Sequence, residues 1–188
     1  SNIMIPVQEA RDIILHAIPV LGTERVDLLL AVGRVLAEDI IAPHNVPPHN
    51  NSAMDGYAVR AEDVQTAPPE QPVELDVIED LPAGYVSRHT VQTGQAIRIM
   101  TGAPVPKGAN SIVRVEDTEQ IEQNRVRILK AVPPLYDMRL AGEDIQCGQT
   151  ILQKGTVLRA AEIGLLASIG RSALQVYQRA QVAILSTG

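Results

Sequence analysis

The pattern of apolar positions opens on a helix. Pro6 suits a first helical position, where its missing N–H costs nothing. After it Val7, Ala10, Ile13, Ile14, Ala17 and Ile18 recur at helical spacing and form one apolar stripe, which Pro19 stops. A second helix is predicted over 27–32, ending near Gly33, and 35–41 either extends it or forms a strand. Over 43–52 the pattern breaks. Pro43, Pro47 and Pro48 stand among Asn45, Asn50 and Asn51, which excludes a regular helix or a central strand and reads as a linker.

Beyond it the chain turns β-rich. Residues 73–78, 96–100, 111–115 and 125–129 are short runs with β-branched side chains, separated by Gly and Pro clusters, and such spacing predicts a small sandwich or barrel. Pro133-Pro134 marks the exit. Residues 150–152 and 156–158 read as two strands around a Lys154-Gly155 turn. Residues 160–169 read as a helix with Gly170 as its C-terminal cap, and 174–177 and 182–185 as strands. The last run, followed by Ser186, Thr187 and Gly188, reads as the first strand of a further α/β unit. The predicted fold class is α+β. A discontinuous mixed α/β domain (1–47 and 134–178) is interrupted by an inserted β-rich, barrel- or sandwich-like domain (48–133), and 179–188 begin a truncated α/β domain.

Composition narrows the function. Hydrophobic residues are 45% of 188 but aromatic ones only 2%, with no Phe and no Trp, so the core is aliphatic and lacks platforms for stacking bases. The net charge is −6 and the 16 basic residues form no run, which argues against a nucleic-acid partner. A single cysteine, Cys147, excludes an internal disulfide framework. No run has the form of a secretion signal or a membrane span, so a cytoplasmic protein without a membrane partner is expected.

Three polar segments can carry chemistry, each with an ordinary alternative beside it. Asp55-Gly56 puts a carboxylate on a tight turn, open to a metal or a substrate, yet Asp-Gly is also a common solvated turn. Thr101 and the backbone around Gly102 can hold an anion, or Thr101 bonds only its own backbone. Glu143 and Asp144 follow Gly142 and can take a hard cation, with Arg139 suited to phosphate, or all three make a solvated turn. His16, His44, His49 and His89 have no metal-ligand spacing, and no P-loop, dinucleotide fingerprint or nucleophile elbow is present.

Together the segments are specific. The run Asn51, Ser52, Ala53, Met54, Asp55, Gly56, Tyr57, Ala58, Val59 closely resembles the hallmark of the molybdopterin molybdenumtransferases of the MoeA/gephyrin type. The stretch 98–117, Gly142 through Ile145, and Lys154 to Thr156 with Ala161 to Ile163 resemble three further family segments in the same order. The resemblance runs from Val7 to Gly188, the N-terminal part of the family's chain, with 182–188 opening its molybdopterin-binding domain. His49-Asn50 departs from the family's frequent Phe-Asp, and Leu140 and Ala141 stand where some members are basic.

The resemblance implies insertion of molybdate into adenylylated molybdopterin with release of AMP, assisted by Mg²⁺, in a homodimer whose active site is shared between subunits. It implies Asp55, Thr101 and Asp144 as catalytic residues, Asp55 and Asp144 as Mg²⁺ ligands, and Ser52, Met54, Gly102 and Arg139 as substrate contacts. It also implies that 1–188 alone is inactive. Two alternatives stay open: a non-catalytic dimerisation or scaffold module of gephyrin type, and a tungsten-inserting paralogue.

Overall fold

The computed structural model describes residues 4–67 and 71–186. In chain order these form α1 (Val7–Ala17), β1 (Thr23–Asp27), β2 (Ile40–Ile41), β3 (Asn51–Ser52), β4 (Gly56–Val59) and α2 (Ala61–Val64). Then follow β5 (Val73–Leu81), β6 (Gln95–Ile99), β7 (Ser111–Arg114), β8 (Thr118–Glu122), β9 (Arg125–Ile128) and β10 (Met138–Arg139). The chain closes on β11 (Thr150–Leu152), α3 (Ala160–Ser168) and β12 (Ala173–Tyr177). It is a mixed α/β protein dominated by sheet, and no described helix is long and apolar enough to cross a membrane. Two compact units separate: residues 1–41 with 150–188, and residues 42–149. Residues 134–149 thus group with the second unit, where β10 pairs with β3.

In the first unit β1 pairs antiparallel with β12, and β2 with β11. Leu28, Leu36, Ile40, Leu158, Ile163, Leu166, Leu174 and Val176 are buried. Each fully buried side chain of this size contributes about 1.5–3 kcal/mol. Arg34, itself buried, is held by an ion pair with Glu24 and donates to the Tyr177 carbonyl at 2.7 Å, which satisfies its charge. α3 ends in a Schellman motif: Gly170, at φ 80°, donates to the Ala167 carbonyl, and the Arg171 N–H reaches the Leu166 carbonyl.

Three predicted elements differ here. The helix over 27–32 is instead the end of β1 and a 3₁₀ turn, Leu28–Leu30. The apolar triplet fits either state, and pairing of 23–27 with β12 decides it. Residues 156–158 make only an isolated bridge, Val35 to Val157, and 182–185 form no strand. α1 forms over the predicted stripe, yet none of its residues is buried: Val7 is 88% exposed and Ile13 and Ile14 each 56%.

The second unit is built on a six-stranded sheet in the order β7-β4-β6-β5-β9-β8, antiparallel except for the β5–β6 pair. Side chains alternate between its faces. Tyr57 and Val59 join Leu75, Val113, Val126 and Ile128 in one apolar cluster, and Ala58 joins Leu81, Ile97, Ile99 and Ile112 in another. Both faces of β4 are therefore covered, which is why Gly56–Val59 carries no charged residue. Gly56 is also sterically required, because a Cβ there would lie 2.0 Å from the Val113 carbonyl oxygen of β7. Among the described residues the sheet is open, ending on β7 and β8.

Candidate functional site

The hallmark segment crosses from β3 into β4, and a second strand-like stretch runs beside it. The Ser52 N–H donates to Ala103 O at 2.9 Å, the Gly102 N–H to Ser52 O at 2.8 Å and the Val105 N–H to Asn50 O at 2.8 Å. Gly102 sits at φ 85°, the left-handed conformation that turns the chain after Thr101. Ser52 closes the near side of the turn through its hydroxyl, which donates to Met54 O at 2.5 Å. These contacts use Ser52 and Gly102 as framework.

The outcome is a fixed carboxylate. Asp55 Oδ1 accepts from both the Thr101 backbone N–H and the Thr101 hydroxyl, each at 2.8 Å. The backbone bond is the larger influence on its pKa, the hydroxyl bond the next, and a weaker one comes from the Arg98 guanidinium. All three hold Asp55 below the ordinary aspartate range. Asp55 and Thr101 are both exposed, so the ionised group faces solvent. Oδ2 has no hydrogen-bond partner among the described residues and is free to meet a ligand.

Arg139 and Asp144 form a second pair. One guanidinium nitrogen, Nη2, donates to Asp144 Oδ1 at 2.8 Å and to Oδ2 at 2.9 Å, while Glu143 stands 3.8 Å from Arg139 Nε. Gly142, at φ 75°, lets the loop turn, and the Asp144 N–H is anchored on Val46 O at 3.0 Å. The two pairs share one scaffold, because Arg139 is the register partner of Asn51 and Met138 of Ser52. Thus Asp55 meets Thr101, and Asp144 meets Arg139.

Among the described residues no group of three or more His, Cys, Asp or Glu side chains is placed to hold a metal ion. Mg²⁺ seldom needs such a cage, since it keeps waters and uses one or two carboxylates with substrate phosphates. An exposed, ionised carboxylate with one free oxygen fits that mode, and Asp55 meets the description. Asp144 has both oxygens on Arg139 and meets it less well.

Two residues that no pattern in the sequence marks belong to this framework. Arg114 donates to Asp137 through Nε at 2.6 Å and Nη2 at 3.0 Å, and the Asp137 carbonyl accepts from the Ala53 N–H at 2.8 Å. They lie 23 positions apart, and no spacing marks them.

Comparison with known proteins points to one family. Residues 5–170 match the family model of the MoeA N-terminal region, domains I and II. A Nostoc molybdopterin molybdenumtransferase is 45% identical over 186 residues, covering 97% of this chain and 42% of its own. A Mycobacterium tuberculosis molybdopterin molybdenumtransferase 2 is 43% identical over 182 residues, covering 97% and 45%. A crystal structure of a molybdopterin biosynthesis MoeA protein from Pyrococcus horikoshii superposes with a TM-score of 0.85 at 40% identity, over 93% of this chain and 46% of that one. The chain spans less than half the length of each relative.

Proposed function

Because this chain belongs to the family of the MoeA N-terminal region, we propose that it supplies one wall of a molybdenumtransferase active site. In this reading the complete polypeptide inserts molybdate into adenylylated molybdopterin and releases AMP, in the cytoplasm, as a homodimer whose active site is shared between subunits. The observation that carries the reading is the Asp55–Thr101 pair: an ionised, exposed carboxylate fixed through one oxygen and open at the other.

The residues then divide the work. Asp55 presents Oδ2 to Mg²⁺ or to its water ligands. The cation, when bound with the substrate, offsets charge on the phosphate that leaves as AMP. Thr101 restrains Asp55 and keeps it ionised. Arg139 is the cation nearest Asp144 and suits a phosphate or molybdate oxygen through the fork of its guanidinium, with Asp144 orienting it. Met54, whose carbonyl is held by Ser52, lies on the same turn and contacts the substrate through its backbone or side chain.

The test is molybdate-dependent AMP release from adenylylated molybdopterin by the complete polypeptide that carries this chain, beside its Asp55→Asn variant. Release by the parent and its loss in the variant support the reading. No release from a folded parent, or full release from the variant, sinks it.

A further inference from the structure

We propose that the Arg114–Asp137 ion pair is a positioning device that holds the Ala53–Asp55 turn from both ends and so sets where the Asp55 carboxylate stands. The inference rests on the reading of Asp55 as an active-site carboxylate.

Each partner is attached to one end of the turn. Arg114 is the last residue of β7 and the register partner of Gly56, the residue that follows Asp55. The next residue, Val115, donates its N–H to the Asp55 carbonyl at 3.1 Å. The far end of the turn hangs on the other partner, because the Ala53 N–H donates to the Asp137 carbonyl at 2.8 Å. The backbone of the turn is therefore bonded to Asp137 at its start and to the 114–115 stretch at its end. The paired bonds between the two side chains, at 2.6 Å and 3.0 Å, close the loop.

The geometry is costly enough to need a cause. Leu135 and Asp137 adopt φ of 65° and 50°; Asp tolerates this left-handed conformation, but Leu takes it only under constraint. Three bonds clamp this strained stretch alongside β7: the Ser111 hydroxyl to Pro133 O at 2.8 Å, the Leu135 N–H to Asn110 O at 2.7 Å and the Ile112 N–H to Tyr136 O at 3.1 Å. The conformation turns the Asp137 carboxylate back onto Arg114 while its own carbonyl meets Ala53. An Asp137 side chain only 13% exposed, in paired contact with Arg114, is a stiffer link than the open ion pairs of the sheet. A shift of about 1 Å in a group that meets substrate is enough to cost a large factor in turnover.

Two variants separate positioning from plain stability. Asp137→Asn keeps the shape and removes the charge, and Arg114→Lys keeps the charge and removes the fork. In the complete polypeptide both are expected to lower kcat about tenfold or more while KM stays within about threefold, the split that misplacement of a group acting in the transition state produces. Backbone NMR of the 1–188 chain gives a readout independent of activity. The Thr101 amide, which donates to Asp55, is expected to shift and to exchange faster in both variants, while the Ile97 and Ile99 amides in β6 stay protected. Should Asp137→Asn unfold, Arg114→Lys reads the same amides with less disturbance. Unchanged Thr101 amides in a folded variant overturn the proposal, as does a fall in kcat that merely follows the melting temperature. If the unmodified polypeptide releases no AMP, the proposed function fails, and the Thr101 amides still decide whether the pair sets the turn.

Discussion

Thr101 bonds one oxygen of Asp55 twice, through its backbone N–H and through its hydroxyl, and leaves the other oxygen open. The relationship sets what each change does. Asp55→Asn keeps the Thr101 bonds through its carbonyl but removes the charge that a cation needs. Metal-assisted charge stabilisation is worth several kcal/mol, so AMP release by the complete polypeptide is expected to fall on the order of 100-fold or more. Thr101→Val is milder, because it removes the hydroxyl and keeps the N–H, the larger of the two influences on Asp55. The Asp55 pKa should rise toward the ordinary value, and ¹³C titration of its carboxyl carbon reads the rise. An unmoved pKa would refute this account of the pair.

Arg139 and Asp144 allow stability and function to be separated. Their side chains are 47% and 49% exposed, so the pair belongs with surface ion pairs that contribute about 0–1 kcal/mol. Arg139→Gln is therefore expected to leave the melting temperature within a few degrees of the parent's. Turnover should fall about tenfold, since a fork that fits phosphate is replaced by a single amide. A large loss of stability with turnover preserved per folded molecule would make the pair structural.

The part of the site that could be read from the sequence was contiguous. Asp55 and Thr101 lie in short runs whose order of small, polar and turn-forming residues is itself distinctive, and the structure brings the two together. Arg114 and Asp137 are ordinary residues made special by register and by the left-handed turn at Leu135 and Asp137, and neither is visible in a linear pattern. The strands with β-branched runs, 73–78, 96–100, 111–115 and 125–129, fall within one or two residues of β6, β7 and β9 and inside the longer β5. β4 is hidden from the pattern because Gly56, Tyr57, Ala58 and Val59 show no alternation, a consequence of burial on both faces. β8, with Glu119 and Glu122 exposed, is held by pairing with β9 and not by apolar pattern. The stripe of α1 gave the right helix, but periodicity says only that a face is apolar and not that this chain covers it.

Two glycines should respond to alanine in opposite directions. At Gly56 the new Cβ meets the Val113 carbonyl oxygen at 2.0 Å, backbone against backbone, so β4 and β7 must separate. Overpacking of this kind costs about 1–3 kcal/mol, and more where the neighbour cannot move. Gly164 lies inside α3 with nothing within 4 Å of a built Cβ, and alanine there is expected to stabilise by about 0.5–1 kcal/mol. Urea midpoints of the two variants against the parent test the pair. A Gly56→Ala protein as stable as the parent would contradict the packing described for β4.

Glu162 gives the clearest dependence on pH. Its carboxylate accepts from the Arg159 guanidinium, Nη2 at 2.7 Å and Nε at 3.1 Å, and from the Arg159 backbone N–H at 2.9 Å, and these bonds bring its pKa down to about 2. The side chain is 11% exposed, so the group is shielded by its own helix and by Arg159, although it is not deep in the core. A folded pKa below the unfolded one means that the unfolded chain binds the proton more readily as pH falls. The stabilising contribution is therefore whole above about pH 4.5, the ordinary value for this group, and drains away between there and about pH 2. Glu162→Gln removes the charge at every pH. Its urea midpoint is expected to lie below the parent's at pH 6–7, with the gap closing as both are titrated toward pH 2. A gap that stays constant through this window would mean that Glu162 caps α3 by shape alone and that its charge contributes nothing to folding.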